Sequence, residues 1–195
     1  MSKGKNSHLE VNEILHKINL PLSANDLIKL LPGVKIVTYD ELHKIKNIDD
    51  ILYPTGKCVI LYMNGENFGH WTCLYVSENP TAEMTLNFFD SYGGKPDNFK
   101  ILQYIPNDIV IRKHQDFSYL ADLMRNSRYK KLSYNDKRLQ GPHTSTCGRY
   151  VALRLIVDCS DDEFEKFLRP APGRPHYVDY DYIVTELTST YPKLR

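Results

Sequence analysis

Four residues stand where their side chains could share one reaction. Cys147 follows the polar loop Gly141-Pro142-His143-Thr144-Ser145-Thr146 and opens an apolar stretch, residues 148–159, that reads as a helix. A thiol at a helix N-terminus meets unpaired N–H groups and the positive end of the dipole, both of which favour the nucleophilic thiolate. The other cysteines, Cys58, Cys73 and Cys159, lie inside apolar runs and read as small buried side chains. His70 precedes Trp71, the one tryptophan, at the start of an alternating strand. A rigid strand end can present an imidazole to a cleft as a general base. Asp90 ends the next strand-like run, where antiparallel pairing would set its carboxylate beside the ring to orient it and stabilise its charge. Taken alone, Asp90 reads first as a turn residue opening Asp90-Ser91-Tyr92-Gly93-Gly94. Gln140, seven residues before Cys147, could turn its amide toward the same carbonyl; such an N–H₂ and a backbone N–H make an oxyanion hole. Singly, it too reads as an exposed polar residue.

The elements that must position these side chains follow from patterning. Residues 9–20 read as a helix with Leu9, Ile14, Leu15 and Ile18 on one face. A second helix opens at the capping-type sequence Ser23-Ala24-Asn25-Asp26 and stops at Pro32-Gly33, and a third begins at Thr38-Tyr39-Asp40-Glu41. From Lys57 the texture is β: residues 58–63, 70–76 and 84–89, separated by Asn64-Gly65-Glu66-Asn67 and Ser77-Glu78-Asn79-Pro80, suit consecutive antiparallel hairpins. Residues 108–111 and 131–140 read as further β-like pieces, and 117–128 as helical. The helix after Cys147 is apolar on most of its surface and is expected to be central. Ser160-Asp161-Asp162-Glu163 caps another helix that Pro170 ends, and residues 179–190 form a closing helix. The expected architecture is α+β, a small, mainly antiparallel sheet packed against that central helix with peripheral helices, in a single domain of residues 1–195.

With 195 residues, 25 Lys+Arg against 24 Asp+Glu and 11% aromatic residues, the chain is expected to bury its own core. Near-neutral charge argues against a protein whose main work is coating nucleic acid. The longest apolar run, residues 58–63, falls far short of the ~20 residues that cross a bilayer, so no membrane role is expected. The N-terminal residues lack the apolar core of a secretion signal, and four cysteines are too few for a disulfide scaffold, which points to a reducing compartment.

Gly69-His70-Trp71, Phe88-Phe89-Asp90-Ser91-Tyr92-Gly93, Leu139-Gln140-Gly141-Pro142 and Thr146-Cys147-Gly148 resemble the His-Trp, Asp/Glu, Gln and Cys-Gly signatures of adenovirus-type and SUMO-protease-type cysteine peptidases. Gln-Gly-Pro followed by a polar loop and Cys-Gly is similar to the adenovirus-type branch in particular. The run Tyr134–Gln140 resembles maturation proteases of virophages and of the Polinton transposon lineage. The likeness covers about residues 57–158 as a catalytic core; the helical parts, 1–50 and 160–195, inherit nothing from it. It implies a papain-type fold with Cys147 as nucleophile, His70 as base, Asp90 as orienting acid and Gln140 in the oxyanion hole, and no metal or organic cofactor. Asp90 departs from the adenovirus-type branch, which has Glu, and agrees with the SUMO-type branch. The implied function is processing of capsid or other virion proteins during maturation, in the virion and the host-cell cytoplasm, by a monomer. The alternative is an isopeptidase that removes a ubiquitin-like modifier with the same groups.

Four rival readings use residues of the same chain. A zinc site from His70, Cys73, His143 and Cys147 is disfavoured because residues 70 and 73 project to opposite faces of a strand. His143 as base for Cys147 would rest on a loop without scaffold. A basic segment, Arg125, Arg128, Lys130, Lys131, Lys137 and Arg138, reads as a solvated face or as an auxiliary dock for DNA. A protein that binds peptide without cleaving it is disfavoured because all four positions hold competent residue types.

Overall fold

Alternation along the strands sorts the core into two layers, one on each face of the sheet. The computed structural model describes residues 4–66, 68–78, 83–157 and 159–190, with backbone only for residues 4–10 and Glu78. The sheet comprises β1 (Lys35–Thr38), β2 (Lys57–Gly65), β3 (Phe68–Glu78), β4 (Met84–Phe89) and β5 (Lys131–Tyr134), in that spatial order. Val59, Leu61, Met63, Trp71, Cys73, Tyr75 and Phe89 face one layer, while Cys58, Ile60, Tyr62, Leu74, Leu86 and Phe88 face the other. Strands covered on both faces need near-continuous apolar sequence, which is why residues 58–63 carry no charged side chain.

The architecture is α+β, and the sheet is mixed rather than mainly antiparallel. The hairpins β2–β3 and β3–β4 are antiparallel as expected, but β1 runs parallel to β2 and β5 parallel to β4. Parallel neighbours require a crossover, and helices supply both. A 3₁₀ helix (Tyr39–Lys44) and α3 (Asp49–Leu52) lie between β1 and β2; α4 (Phe99–Leu102), α5 (Asn107–Arg112) and α6 (Tyr119–Arg125) lie between β4 and β5. Residues 108–111, expected as β, are therefore helical. Pro106 sets the first turn, with the amides of Ile109 and Val110 both bonded to its carbonyl, and only one of the branched pair Val110/Ile111 is buried. Strand β1 is four residues long, and the stop signal before it and the capping signal after it leave little room to see it.

The first layer packs against α2 (Ala24–Leu30), α7 (Cys147–Ile156), α8 (Asp161–Leu168) and α9 (Tyr180–Thr190). Helix α7 is buried along residues 147–155, including Arg149 and Arg154. Both guanidinium groups find acceptors: Arg149 reaches Thr188 Oγ1 at 3.0 Å, and Arg154 reaches the Cys159 carbonyl at 2.9 Å and Asp161 at 3.1 Å. Capping boxes at Ser23/Asp26 and Ser160/Glu163 start α2 and α8 as expected. Helix α1 (Gly4–Ile18) lies on α9 through Ile18, Val178 and Tyr182, joined by Val11, Ile14 and Leu15. The expected turn residues Asn67, Asn79 and Pro80 and the Leu9 side chain lie outside the described residues. Cys58 and Cys73 are fully buried, whereas Cys159 is only half-buried beyond the end of α7.

Gly69 ties this frame to the site. It pairs with Met63 next to a bulge in β2, and a Cβ there would lie 2.0 Å from the Tyr62 carbonyl oxygen, so any side chain must displace the β2–β3 backbone. Gly69→Ala is expected to cost at least the 1–3 kcal/mol typical of overpacking. Chemical denaturation reads this directly, and wild-type stability in the variant would show that the hairpin tolerates the displacement.

Candidate active site

Strand alternation separates the His70-Trp71 pair into two tasks. Trp71 joins the layer under α7, where its indole N–H donates to the Leu22 carbonyl at 3.0 Å. A Cβ on Gly148 would lie 3.1 Å from both Trp71 Cδ1 and Leu22 Cβ, so the glycine after Cys147 lets the tip of α7 settle onto the indole. His70 takes the other direction. The β3–β4 register pairs Cys73 with Phe89, so one further step sets Asp90 across from Thr72, diagonal to His70 on the same face. His70 Nε2 lies 2.5 Å from Asp90 Oδ1, with both side chains buried.

The turn after β4 is built around the Asp90 carboxylate. Oδ1 also accepts the Tyr92 amide at 3.1 Å and Oδ2 the Gly94 amide at 2.7 Å. A Cβ on Gly94 would stand 2.7 Å from Oδ2, and Gly93 adopts φ +70° with the Lys137 backbone close by. The paired glycines are therefore a steric need of the site. Asn135 holds the Asp90 backbone at both ends, accepting its N–H at 2.8 Å and donating to its carbonyl at 2.6 Å. Tyr92 stacks on the imidazole with centroids 4.6 Å apart and planes 11° apart, and the Arg138 guanidinium lies over the Tyr92 ring at 5.0 Å.

Gln140 is buried, unlike the exposed residue that its type alone suggests. Its Oε1 accepts from Ser91 Oγ at 2.7 Å, which fixes the amide's orientation, and its Nε2 donates to the Thr144 carbonyl at 2.9 Å. The second hydrogen on Nε2 has no protein acceptor among the described residues and is free for a bound oxygen. The Ser91 carbonyl also receives the Leu139 and Gln140 amides at 2.9 and 3.0 Å, so a single residue of the Asp90 turn holds the approach to the Cys147 loop.

Cys147 is the first residue of α7 and is buried. With Nε2 committed to Asp90, Nδ1 is the ring nitrogen left for the thiol. Burial acts most strongly on His70 and disfavours its charge, but the Asp90 carboxylate, by charge and hydrogen bond, and Cys147 outweigh it. Together they hold the imidazole pKa up at about 10. The ring is therefore charged at neutral pH, held between an acceptor on one side and a sulfur on the other. This arrangement can supply a proton and a nucleophile at one point, and the turn that holds Asp90 also orients the Gln140 amide.

Among known proteins, the chain is 37% identical over 182 residues to an uncharacterised protein, V9, of Sputnik virophage, a match covering 91% of this chain and 99% of that protein. The chain belongs to the virophage V9 family. No family model matches it.

In this V9-family chain the other residues singled out from sequence lie apart from the four. His143 is exposed on the loop, and Cys73 is in the core below α7. Among the described residues no group of three or more His, Cys, Asp or Glu side chains could hold a metal ion, and no helix is long and apolar enough to cross a membrane. In the basic segment, Arg125 pairs with Asp122, Arg128 with Asp49, and Lys137 with Asp162 and Glu165. The charge without a carboxylate partner among the described residues rests on Lys130, Lys131 and Arg138. A groove of about 450 Å³ is lined by Leu22, Ile36, Leu61, Phe68 and Trp71, with Glu41 as its one acid. Leu22 and Trp71, which line this groove, also pack on Gly148, the residue after Cys147, while none of the four lines it. A larger cavity, about 570 Å³, lies between the 3₁₀ helix and α6 and contains none of the four.

Sequence patterning missed Ser91, Tyr92, Asn135 and Thr144 as parts of the site. The folded pKa of His70 lies above its ordinary 6.5, so the stability contributed by the charged ring is complete below about pH 6.5 and is lost as pH rises toward 10. Unfolding free energy is expected to fall across that window, and Asp90→Asn is expected to flatten the fall. Equal slopes in urea titrations of the two proteins would assign the dependence to another group.

Proposed function

We propose that this protein is a cysteine endopeptidase of the adenovirus-type and SUMO-protease-type class, with a papain-type arrangement of helix and sheet, that processes virion proteins during maturation. The observation that carries the reading is the buried His70–Asp90 pair beside a thiol at the tip of a buried helix, with the Gln140 amide locked in orientation nearby. The family relation to a virophage protein supports a viral setting. It says nothing of chemistry, because that relative is itself uncharacterised.

In this mechanism His70 and Cys147 form an imidazolium–thiolate pair. The sulfur attacks the scissile carbonyl carbon, and the carbonyl electron pair moves onto oxygen, where the free Gln140 N–H and a backbone N–H at the tip of α7 receive it. His70 then gives its proton to the leaving amine as the C–N bond breaks, leaving a thioester. Water, losing a proton to the same ring, attacks the thioester and releases the acid and the thiolate, which restores the imidazolium–thiolate pair. No step calls for a metal or organic cofactor. The apolar groove beside Gly148 suits a strand with an aliphatic side chain upstream of a small residue at the cut. Capsid proteins are the proposed substrates, with the virion and the host-cell cytoplasm as the place of action. The unpaired cations Lys130, Lys131 and Arg138 are the part of the basic segment that would meet packaged DNA.

Incubation of the protein with capsid proteins encoded in the same genome, followed by mass-spectrometric mapping of the released peptides, tests the reading. Cys147→Ala is expected to abolish release while preserving the fold, and Gln140→Ala to lower kcat by about 10²-fold with little change in KM. Full turnover by Cys147→Ala would overturn the assignment. Cleavage confined to a Gly-Gly-linked modifier would make the protein an isopeptidase instead.

A further inference from the structure

One buried carboxylate near the site has no part in the mechanism above. Asp181 projects from the first turn of α9, forty residues beyond the loop it meets, and is almost fully buried. Its Oδ2 accepts the Gly141 amide at 2.8 Å, and its Oδ1 accepts the hydroxyls of Thr144, at 3.2 Å, and Thr146. All three donors belong to the loop that joins Gln140 to Cys147. Gly141 is glycine for this contact, since a Cβ there would lie 2.8 Å from Asp181 Oδ2. A second remote anchor holds the loop: the Ser145 amide donates to the Ile18 carbonyl at the end of α1.

The Thr144 residue joins this brace to the chemistry. Its one hydroxyl hydrogen is shared between Asp181 Oδ1 and the Gly141 carbonyl, each 3.2 Å from the oxygen, while its own carbonyl receives Gln140 Nε2. The direction of the free Gln140 N–H therefore depends on where Thr144 sits. Burying a carboxylate is costly unless donors surround it, and desolvation does push the Asp181 pKa up. A loop this short, with no buried apolar side chain of its own, needs such a fixed point to hold its shape.

We propose that Asp181 is a positioning residue for the oxyanion hole, acting through Thr144 on Gln140, so that the closing helix α9 is part of the catalytic apparatus. The proposal rests on the peptidase reading. It differs from a purely structural role because it places the loss in the transition state: Thr146 also loses a partner when the brace is cut, but its carbonyl still accepts the Arg149 and Tyr150 amides at 2.8 and 3.1 Å, so the first turn of α7 keeps Cys147 in place, and the sheet keeps His70.

The test uses the full chain with acetyl-Leu-Ala-Gly-Gly-aminomethylcoumarin as probe, reading kcat, KM and the rate of Cys147 alkylation by iodoacetamide. Asp181→Ala is expected to lower kcat about 10- to 100-fold, the scale set by a displacement near 1 Å at a reacting centre, with KM and alkylation within about twofold of wild type. Asp181→Asn keeps an acceptor for Gly141 and lets the hydroxyls rotate, so it is expected to recover part of the rate. Should Asp181→Ala fail to fold, Thr144→Val cuts the same link from the loop side, and Thr144→Ser, which retains the hydroxyl, should restore turnover relative to it. Wild-type kcat in both Asp181→Ala and Thr144→Val, or a kcat loss matched by an equal loss of alkylation, would overturn the proposal while leaving the peptidase reading intact. Absence of turnover in the wild-type protein, on this probe and on capsid proteins alike, would overturn both.

Discussion

The contact between His70 and Asp90 at the end of the sheet is the constraint on which the rest of the structure depends. A charged imidazole in a buried place is costly, and the carboxylate that offsets this cost is buried as well. Both are tolerable because the remaining lone pairs of Asp90 are filled by the Tyr92 and Gly94 amides. That filling dictates the tight turn after β4, the two glycines within it and the Asn135 clamp behind it. It also explains why the central strands are antiparallel at this point, since only that register makes His70 and Asp90 diagonal neighbours.

The second half of the site is brought to the first by the burial of α7. Its apolar surface fills the layer beneath Trp71, and its N-terminus arrives beside His70 because Gly148 permits contact with the indole. The adjacency of histidine and tryptophan in sequence thus has a physical meaning. One side chain faces the carboxylate, the other sets the height of the helix carrying the thiol, and strand alternation guarantees that the two tasks do not compete. Ser91 completes the link, because the turn holding Asp90 also fixes the amide of Gln140.

How much of this is visible in the sequence follows from how far each interaction reaches. Cys147, His70 and Asp90 stand at the ends of elements with strong local signals, so their roles can be argued from a few neighbouring residues. The capping boxes and the hairpins β2–β3 and β3–β4 are local too, and are found where the patterning puts them. The parallel edges β1 and β5 are not, because a parallel pairing is declared only by a distant crossover, and the helix at Asn107–Arg112 overrides the branched residues that suggest a strand. Ser91, Asn135 and Asp181 have ordinary surface-type sequences; their partners lie some forty to fifty residues away, at separations where no spacing rule applies.

The central claim is that the fold keeps His70 charged at neutral pH so that it faces Cys147 as an imidazolium. Nitrogen-edited NMR titration of the His70 ring, assigned by comparison with His70→Gln, measures this most directly. The account predicts a ring that stays doubly protonated through neutrality and titrates near pH 10, the value to which Asp90 and Cys147 raise it. A ring that is neutral at pH 7.5 and titrates near the ordinary value of about 6.5 would contradict it.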